Sequence, residues 1–232
     1  MKLMAKISEF DQNGNEHLID GLILCKSYPQ LVDKNILQPG DVLFCCQSPP
    51  NEIKGKVKTK AIQKFTKGIY VHCGLYIGND LVADSAGGAV RHIDIDEFIG
   101  SYTYIVISRC QYLNEDRIAE MVSYTYECKD KSIKYDLSGA LALPKLRKEH
   151  RKYIHGGDKK PNYDKASEER VFCSEFVLNC FKASGYIPWD HEFYVSHAFS
   201  PTDLAHDELL RFEGYLSKGG ISSIHPDDSF RK

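Results

Sequence analysis

A thiol nucleophile, a general base and an orienting carboxylate can be assembled from cysteine, histidine and aspartate, and this chain offers an ordered candidate for each. Cys173 lies in the apolar run Val171-Phe172-Cys173-Ser174-Glu175-Phe176-Val177, which continues to Cys180, Phe181 and Gly185. Phe176, Val177, Cys180 and Phe181 fall on one helical face and Gly185 supplies a C′ glycine, so the spacing predicts a helix that opens at Cys173. A thiol in a first helical turn sits among N–H groups with no intrahelical acceptor, at the positive end of the helix dipole, and both features favour the thiolate. Cysteine pKa values in such settings fall to about 3.5–7.5, most readily beside an imidazolium. The plainer alternative is a small buried residue of the core.

His72 is the best-placed base. It interrupts the otherwise apolar strand Tyr70-Val71-His72-Cys73-Gly74-Leu75-Tyr76-Ile77, where an unpartnered imidazole is costly, and Gly74 leaves room for close approach of backbone or substrate. Asp84, in Leu81-Val82-Ala83-Asp84-Ser85, is within a hairpin's reach of His72; otherwise it is a turn residue capping Gly87-Gly88. Seven of the other eight histidines (His92, His150, His155, His191, His197, His206 and His225) are expected on solvated surface. His191-Glu192 is followed by Val195 where a zinc protease motif needs a second histidine, and the glycine-rich nucleotide and serine-hydrolase motifs are missing.

These residues have to be placed by elements that the pattern also predicts. Residues 1–36 read as an N-terminal extension with two short extended segments about the Asn13-Gly14-Asn15 turn, packed on the main domain. After Pro39-Gly40-Asp41, the run Val42-Leu43-Phe44-Cys45-Cys46 suits a buried strand, and Ala61, Ile62 and Phe65 recur at helical spacing in a Lys-rich stretch. The His72 strand and a hairpin turning at Gly87-Gly88 follow, then one helical turn over Asp94–Ile99 and a strand from Tyr102 to Cys110. A helix over 114–128 has Asn114 as N-cap, with Ile118, Met121, Val122 and Tyr126 inward and Arg117 and Glu120 outward. Residues 144–170 read as a charged surface insertion. Ser200-Pro201-Thr202-Asp203 opens a short helix, and a strand follows near Leu210-Arg211-Phe212. The fold class is α+β, an antiparallel sheet packed against helices, with 216–232 a C-terminal tail.

With 30 Lys and Arg against 32 Asp and Glu, the net charge of −2 excludes a whole-molecule field for nucleic acid. The N-terminus has no secretory apolar core and no window approaches the ~20 apolar residues of a membrane span. The expectation is a cytoplasmic protein with no transmembrane segment and eight free thiols, export by a route without a cleaved signal remaining open. No Cys-x-x-Cys pair occurs, which disfavours a zinc knuckle. Two basic clusters, one of Lys54, Lys56, Lys58, Lys60, Lys64 and Lys67 and one of Lys145, Arg147, Lys148, Arg151 and Lys152, are either a solvated face or an attractor of acidic lipid or peptide.

In order, Gly40-Asp41-Val42-Leu43-Phe44, Ala61-Ile62-Gln63, His72-Cys73-Gly74-Leu75-Tyr76-Ile77-Gly78, Val82-Ala83-Asp84, Tyr135-Asp136, Phe172-Cys173-Ser174-Glu175-Phe176-Val177 and Ser200-Pro201-Thr202-Asp203-Leu204 resemble the YiiX-like permuted papain-fold amidases of the NlpC-type cysteine hydrolases. The resemblance spans residues 37–215, and its circular permutation puts the histidine strand before the cysteine helix. It implies Cys173 as nucleophile, His72 as base then acid, and Asp84, where relatives often carry Glu, as the group orienting His72. It also implies an oxyanion hole at the Cys173 backbone N–H and a substrate site lined by Tyr135, Gly74 and Ser174. The chemistry implied is cleavage of a peptide, isopeptide or N-acyl amide through a thioester, with a peptide, peptidoglycan-like or lipid acyl substrate and neither metal nor organic cofactor. Many relatives act in the bacterial envelope. Two alternatives stay open: an acyltransferase or thioesterase similar to the lecithin retinol acyltransferase relatives, and an inactive binding module. Departures from the pattern are the second thiol, Cys73, directly after His72, and the basic segment 144–170.

Overall fold

The computed structural model describes residues 6–10, 16–20, 30–47, 68–163 and 169–231. Strands β1 (Lys6–Phe10) and β2 (Glu16–Asp20) form a separate antiparallel pair. The other strands build one curled sheet: β3 (Val42–Cys46), β4 (Tyr70–Gly78), β5 (Leu81–Ala86), β6 (Ala89–Asp94), β7 (Tyr104–Arg109), β8 (Lys134–Tyr135), β9 (Arg170–Val171) and β10 (Arg211–Leu216). Their spatial order is β10-β7-β3-β4-β5-β6-β8-β9, antiparallel throughout except for β8 and β9. Among the described residues five helices accompany them: α1 (Ile95–Gly100), α2 (Glu115–Asp130), α3 (Leu137–Ile154), α4 (Cys173–Ala183) and α5 (Pro201–Ala205). The protein is therefore α+β. Among the described residues no helix is long and apolar enough to cross a membrane.

β3 lies between β4 and β7 and is buried on both faces, which is why it reads as a continuous apolar run rather than an alternating one. Val42 and Phe44 join a core with Leu75, Ile77, Ala83 and the inner residues of α2 and α4. Leu43 and Cys45 face the other way, with Tyr76, Val82, Ile105, Ile107 and Phe98 of α1. Turn chemistry sets the registers. Asn79 and Asp80, both at positive φ, link β4 to β5, and Gly87 (φ +61°) with Gly88 (φ +110°) closes the β5–β6 hairpin beside the Ala86↔Ala89 pair. Arg109, at the end of β7, grips fully buried Asp41 through Nε (2.6 Å) and Nη2 (2.8 Å), pinning the start of β3.

Several expectations meet the structure directly. Asn114 caps α2, accepting from the Arg117 N–H at 3.0 Å, but the inner stripe is Met121, Thr125 and Cys128, while Tyr126 is exposed. Thr125 is accommodated because its hydroxyl donates to the Val122 carbonyl at 2.8 Å. Residues 144–154 of the charged segment are helical: α3 runs through Pro144, and its basic face is anchored by Arg151 and Arg147 on Asp203 of α5. His150, on that helix, is buried rather than solvated. Its Nε2–H donates to the Phe193 carbonyl at 2.9 Å, which leaves Nδ1 to accept from the Tyr163 hydroxyl at 2.8 Å. His206 is tied to the Thr202 carbonyl and stacks on Phe230, and the His92 and His197 rings are half-buried. Residues 30–32 of the extension dock on β10 through the Val32 N–H to Tyr215 carbonyl bond of 3.0 Å. The Lys54–Lys67 cluster, the helical spacing at 61–65 and Cys25 lie outside the described residues; the other seven cysteines are free and buried.

The C-terminal segment is fastened by one buried carboxylate. Asp228, fully buried, accepts from the hydroxyls of Tyr70 (3.0 Å), Tyr104 (2.8 Å) and Tyr215 (2.8 Å), one each from β4, β7 and β10. Hydrogen bonds to a charged group contribute about 1.5–3 kcal/mol each, and an unsatisfied buried hydroxyl costs about 1–3 kcal/mol. Asp228→Ala should therefore lower unfolding stability by about 3–5 kcal/mol, read as a reduced urea midpoint at unchanged m value. A loss below about 1 kcal/mol would show that the tail is not held by this carboxylate.

Candidate active site

His72 is held on three sides. Its ring stacks on Tyr102 (6.0 Å between centroids, 18°) and tilts against Phe98 (6.1 Å). Nε2 lies 2.8 Å from Asp84 Oδ2. An ionised carboxylate only accepts, so Nε2 carries the proton and Nδ1 is the nitrogen left for another partner. Asp84 has no exposed surface. Its other oxygen accepts from Arg91 Nε at 2.9 Å, and Arg91 Nη2 adds a longer contact of 3.3 Å to Oδ2. Burial alone would push the Asp84 carboxyl up, but the hydrogen bonds and charges of His72 and Arg91 prevail and hold it below its ordinary value. The shorter aspartate thus reaches the imidazole directly.

Cys173 is the first residue of α4. The helix is positioned by burial: Phe176, Val177, Cys180 and Phe181 have no exposed surface, each apolar side chain contributing about 1.5–3 kcal/mol. Its start is fixed by Glu175, whose Oε2 accepts from the Phe172 N–H at 3.3 Å and whose carboxyl burial pushes up to about 8. Ser85 Oγ also donates to the Val171 carbonyl at 2.7 Å, tying the approach to α4 to the end of β5. The thiol that results hydrogen-bonds both His72 and Cys73.

The electrostatics form a coupled set. The Cys173 thiol is held well below its ordinary value, chiefly by the hydrogen bond from Cys73 and against the opposing effect of burial, with the charge and hydrogen bond of His72 adding to it. Burial disfavours a protonated His72, yet the Cys173 charge and the Asp84 carboxylate outweigh it and raise the imidazole to about 10. The shifts act in one sense: they favour a thiolate–imidazolium pair next to a carboxylate–guanidinium pair. The Cys173 N–H lies in the first turn of α4, where no intrahelical acceptor exists, so it can donate to an oxyanion.

The structure thus joins Cys173, His72 and Asp84 in one hydrogen-bonded series. Tyr135 is half-buried close by, its hydroxyl pushed up by burial and by the Cys173 charge. Two other expected substrate contacts are placed differently. A Cβ at Gly74 would come within 2.8 Å of Val82 Cγ1 and 3.2 Å of both the Ala83 carbonyl and Phe98, so the glycine makes room for β5 and α1 instead of substrate. Ser174 is fully buried and its hydroxyl donates to the Phe199 carbonyl at 2.7 Å, a structural tie. Arg91, Tyr102 and Phe98 did not emerge from the sequence. Arg91 could have: a two-residue hairpin loop at Gly87-Gly88 sets it directly across from Asp84.

The charge series makes a directional prediction. A group whose folded pKa is raised keeps its proton until pH passes that value, so the His72 ring should stay protonated through pH 9 and titrate near 10. Asp84→Asn removes the anion that favours the charged ring and should lower that midpoint by about one unit or more. Nitrogen NMR of the His72 ring across pH checks it, and an unchanged midpoint would remove Asp84 from the series. Compared with protein-family models, curated proteins and solved structures, the chain finds no match.

Proposed function

We propose that this protein is a cysteine-dependent hydrolase that cleaves an amide bond through a Cys173 acyl-enzyme. The observation that carries the reading is the His72 imidazole bridging the Asp84 carboxylate at 2.8 Å and the Cys173 sulfur at the start of α4. The thiolate attacks the carbonyl carbon, forming the C–S bond, and the carbonyl electron pair moves to an oxyanion that the Cys173 N–H can meet. His72 Nδ1 gives its proton to the departing nitrogen as the C–N bond breaks. Water then attacks the thioester with His72 as base, releasing the acid and restoring the thiolate. Asp84, fixed by Arg91, keeps the proton on Nε2 and stabilises the charged ring.

The order of the elements supports the permuted papain-like, YiiX-type arrangement: the histidine strand comes early, the cysteine helix late, and α4 packs on β4 and β5. Within that reading the substrate is a peptide, isopeptide or N-acyl amide.

Cys173→Ala should abolish hydrolysis of a reactive N-acyl amide identified by substrate screening while leaving the circular dichroism spectrum unchanged. His72→Ala should lower kcat/KM by about 10²–10⁴-fold. Full activity in Cys173→Ala would sink the proposal. Product mass spectrometry with and without an added amine or alcohol separates hydrolysis from acyl transfer, since transfer would place the acyl group on the acceptor. A binding module predicts instead that iodoacetamide labels Cys173 at pH 6 no faster than it labels a free thiol.

A further inference from the structure

The ladder between β4 and β5 stops short, and what replaces it lies at the nucleophile. In an antiparallel sheet the backbone groups of successive residues point to alternate sides of the strand. Tyr76 exchanges bonds toward the β3 side, donating to the Asp41 carbonyl (2.8 Å) and accepting from the Gly40 N–H (2.9 Å). Gly74 and His72 share that direction, so Leu75 and Cys73 aim their N–H groups toward β5. Leu75 pairs with Ala83, but pairing ends there, and neither Asp84 nor Ser85 has a partner on β4. The Cys73 N–H is therefore left without a strand acceptor, and the Cys173 sulfur takes it.

The Cys73 side chain points to the α4 side of the sheet, in the same core as Cys173, and is fully buried. The two sulfurs are hydrogen-bonded. Only one of the two can carry the charge. Cys173 faces the imidazole and the start of a helix, while Cys73 has neither, and burial first of all pushes its thiol well up. Cys73 is consequently the donor and Cys173 the acceptor.

We propose that Cys73 is the thiolate-stabilising donor of this site: its S–H and its own backbone N–H converge on Cys173 Sγ and, with the His72 ring, hold that sulfur as the anion. Cys73 keeps its proton throughout. It favours the attacking thiolate before acylation and the departing thiolate when water breaks the C–S bond. Its consequence for turnover rests on the function proposed above, whereas the thiolate itself is measured without any substrate.

The experiment is iodoacetamide alkylation of Cys173 in the full chain from pH 5 to 10, followed on the Cys173 peptide by mass spectrometry, in wild type, Cys73→Ala and Cys73→Ser. Wild type should show a midpoint well below the ordinary value of about 8.5. Cys73→Ala should raise it by about one unit, slowing alkylation by about tenfold at pH values below the wild-type midpoint while the plateau at high pH is kept. Cys73→Ser, whose hydroxyl also donates, should return the midpoint toward wild type. A purely structural role for Cys73 would not produce that rescue. An unchanged midpoint in Cys73→Ala, or labelling of Cys73 in preference to Cys173 at pH 6, overturns the proposal. A wild-type midpoint near 8.5 overturns both it and the nucleophile assignment.

Discussion

Asp84 has no solvent contact, so each of its oxygens must be met by a donor inside the fold, and the two that meet them determine the geometry around it. Arg91 arrives from the facing strand of the hairpin and His72 from the neighbouring strand. Because Arg91 occupies Oδ1, Oδ2 is the oxygen directed at the imidazole, and the imidazole is turned so that its other nitrogen meets the helix carrying Cys173. The carboxylate thus orients a ring whose rotation Tyr102 and Phe98 already restrict. Loss of this anchor would free the ring even if every contact of Cys173 were preserved.

The sheet makes this possible by being incomplete. β4 pairs with β3 from Tyr70 to Leu75 yet with β5 only from Leu75 onward. Where the second ladder ends, Ser85 of β5 bonds instead to the Val171 carbonyl on the approach to α4. A complete ladder would use up the Cys73 N–H and close the space that the Cys173 sulfur occupies. Continuity on the β3 side maintains the strand; discontinuity on the β5 side leaves the Cys73 N–H outside the ladder.

Much of this was legible from residue spacing alone. The α4 helix and its Gly185 terminus, the Asn114 cap, the Ser200 helix start and the glycine hairpin each follow from short-range rules, because the physics deciding them lies within a few residues. His72, Cys173 and Asp84 were recognisable because a polar group in an apolar strand, or a thiol at a helix start, contradicts its surroundings. What escaped depends on distant partners. His150 sits in a charged run and reads as surface, but Tyr163 and the Phe193 carbonyl satisfy both its nitrogens. Residues 144–154 read as a charged surface insertion because few apolar residues mark a buried face there, whereas Asp203 on another helix takes up two of the arginines. Period alone turns Tyr126 inward; the stripe in the structure admits Thr125 instead, whose hydroxyl is satisfied within the helix.

Burying charge is expensive, and the arrangement of signs explains how this core tolerates it. Cys173, His72, Asp84 and Arg91 alternate negative, positive, negative and positive, so each inner charge has opposite neighbours and the series is neutral as a whole. Only its outer member is substantially open: the Arg91 side chain is 45% exposed while that of Asp84 is completely buried. The guanidinium therefore keeps part of its hydration and still compensates a carboxylate that has none. At the other end, among the described residues, the thiolate is met by neutral donors, the Cys73 S–H and N–H together with the first turn of α4. A second cation there would bind the sulfur more tightly but would also weaken it as a nucleophile, since basicity and nucleophilicity fall together. The same relation holds for the neutral donors: they trade some intrinsic nucleophilicity for a larger fraction of thiolate at neutral pH.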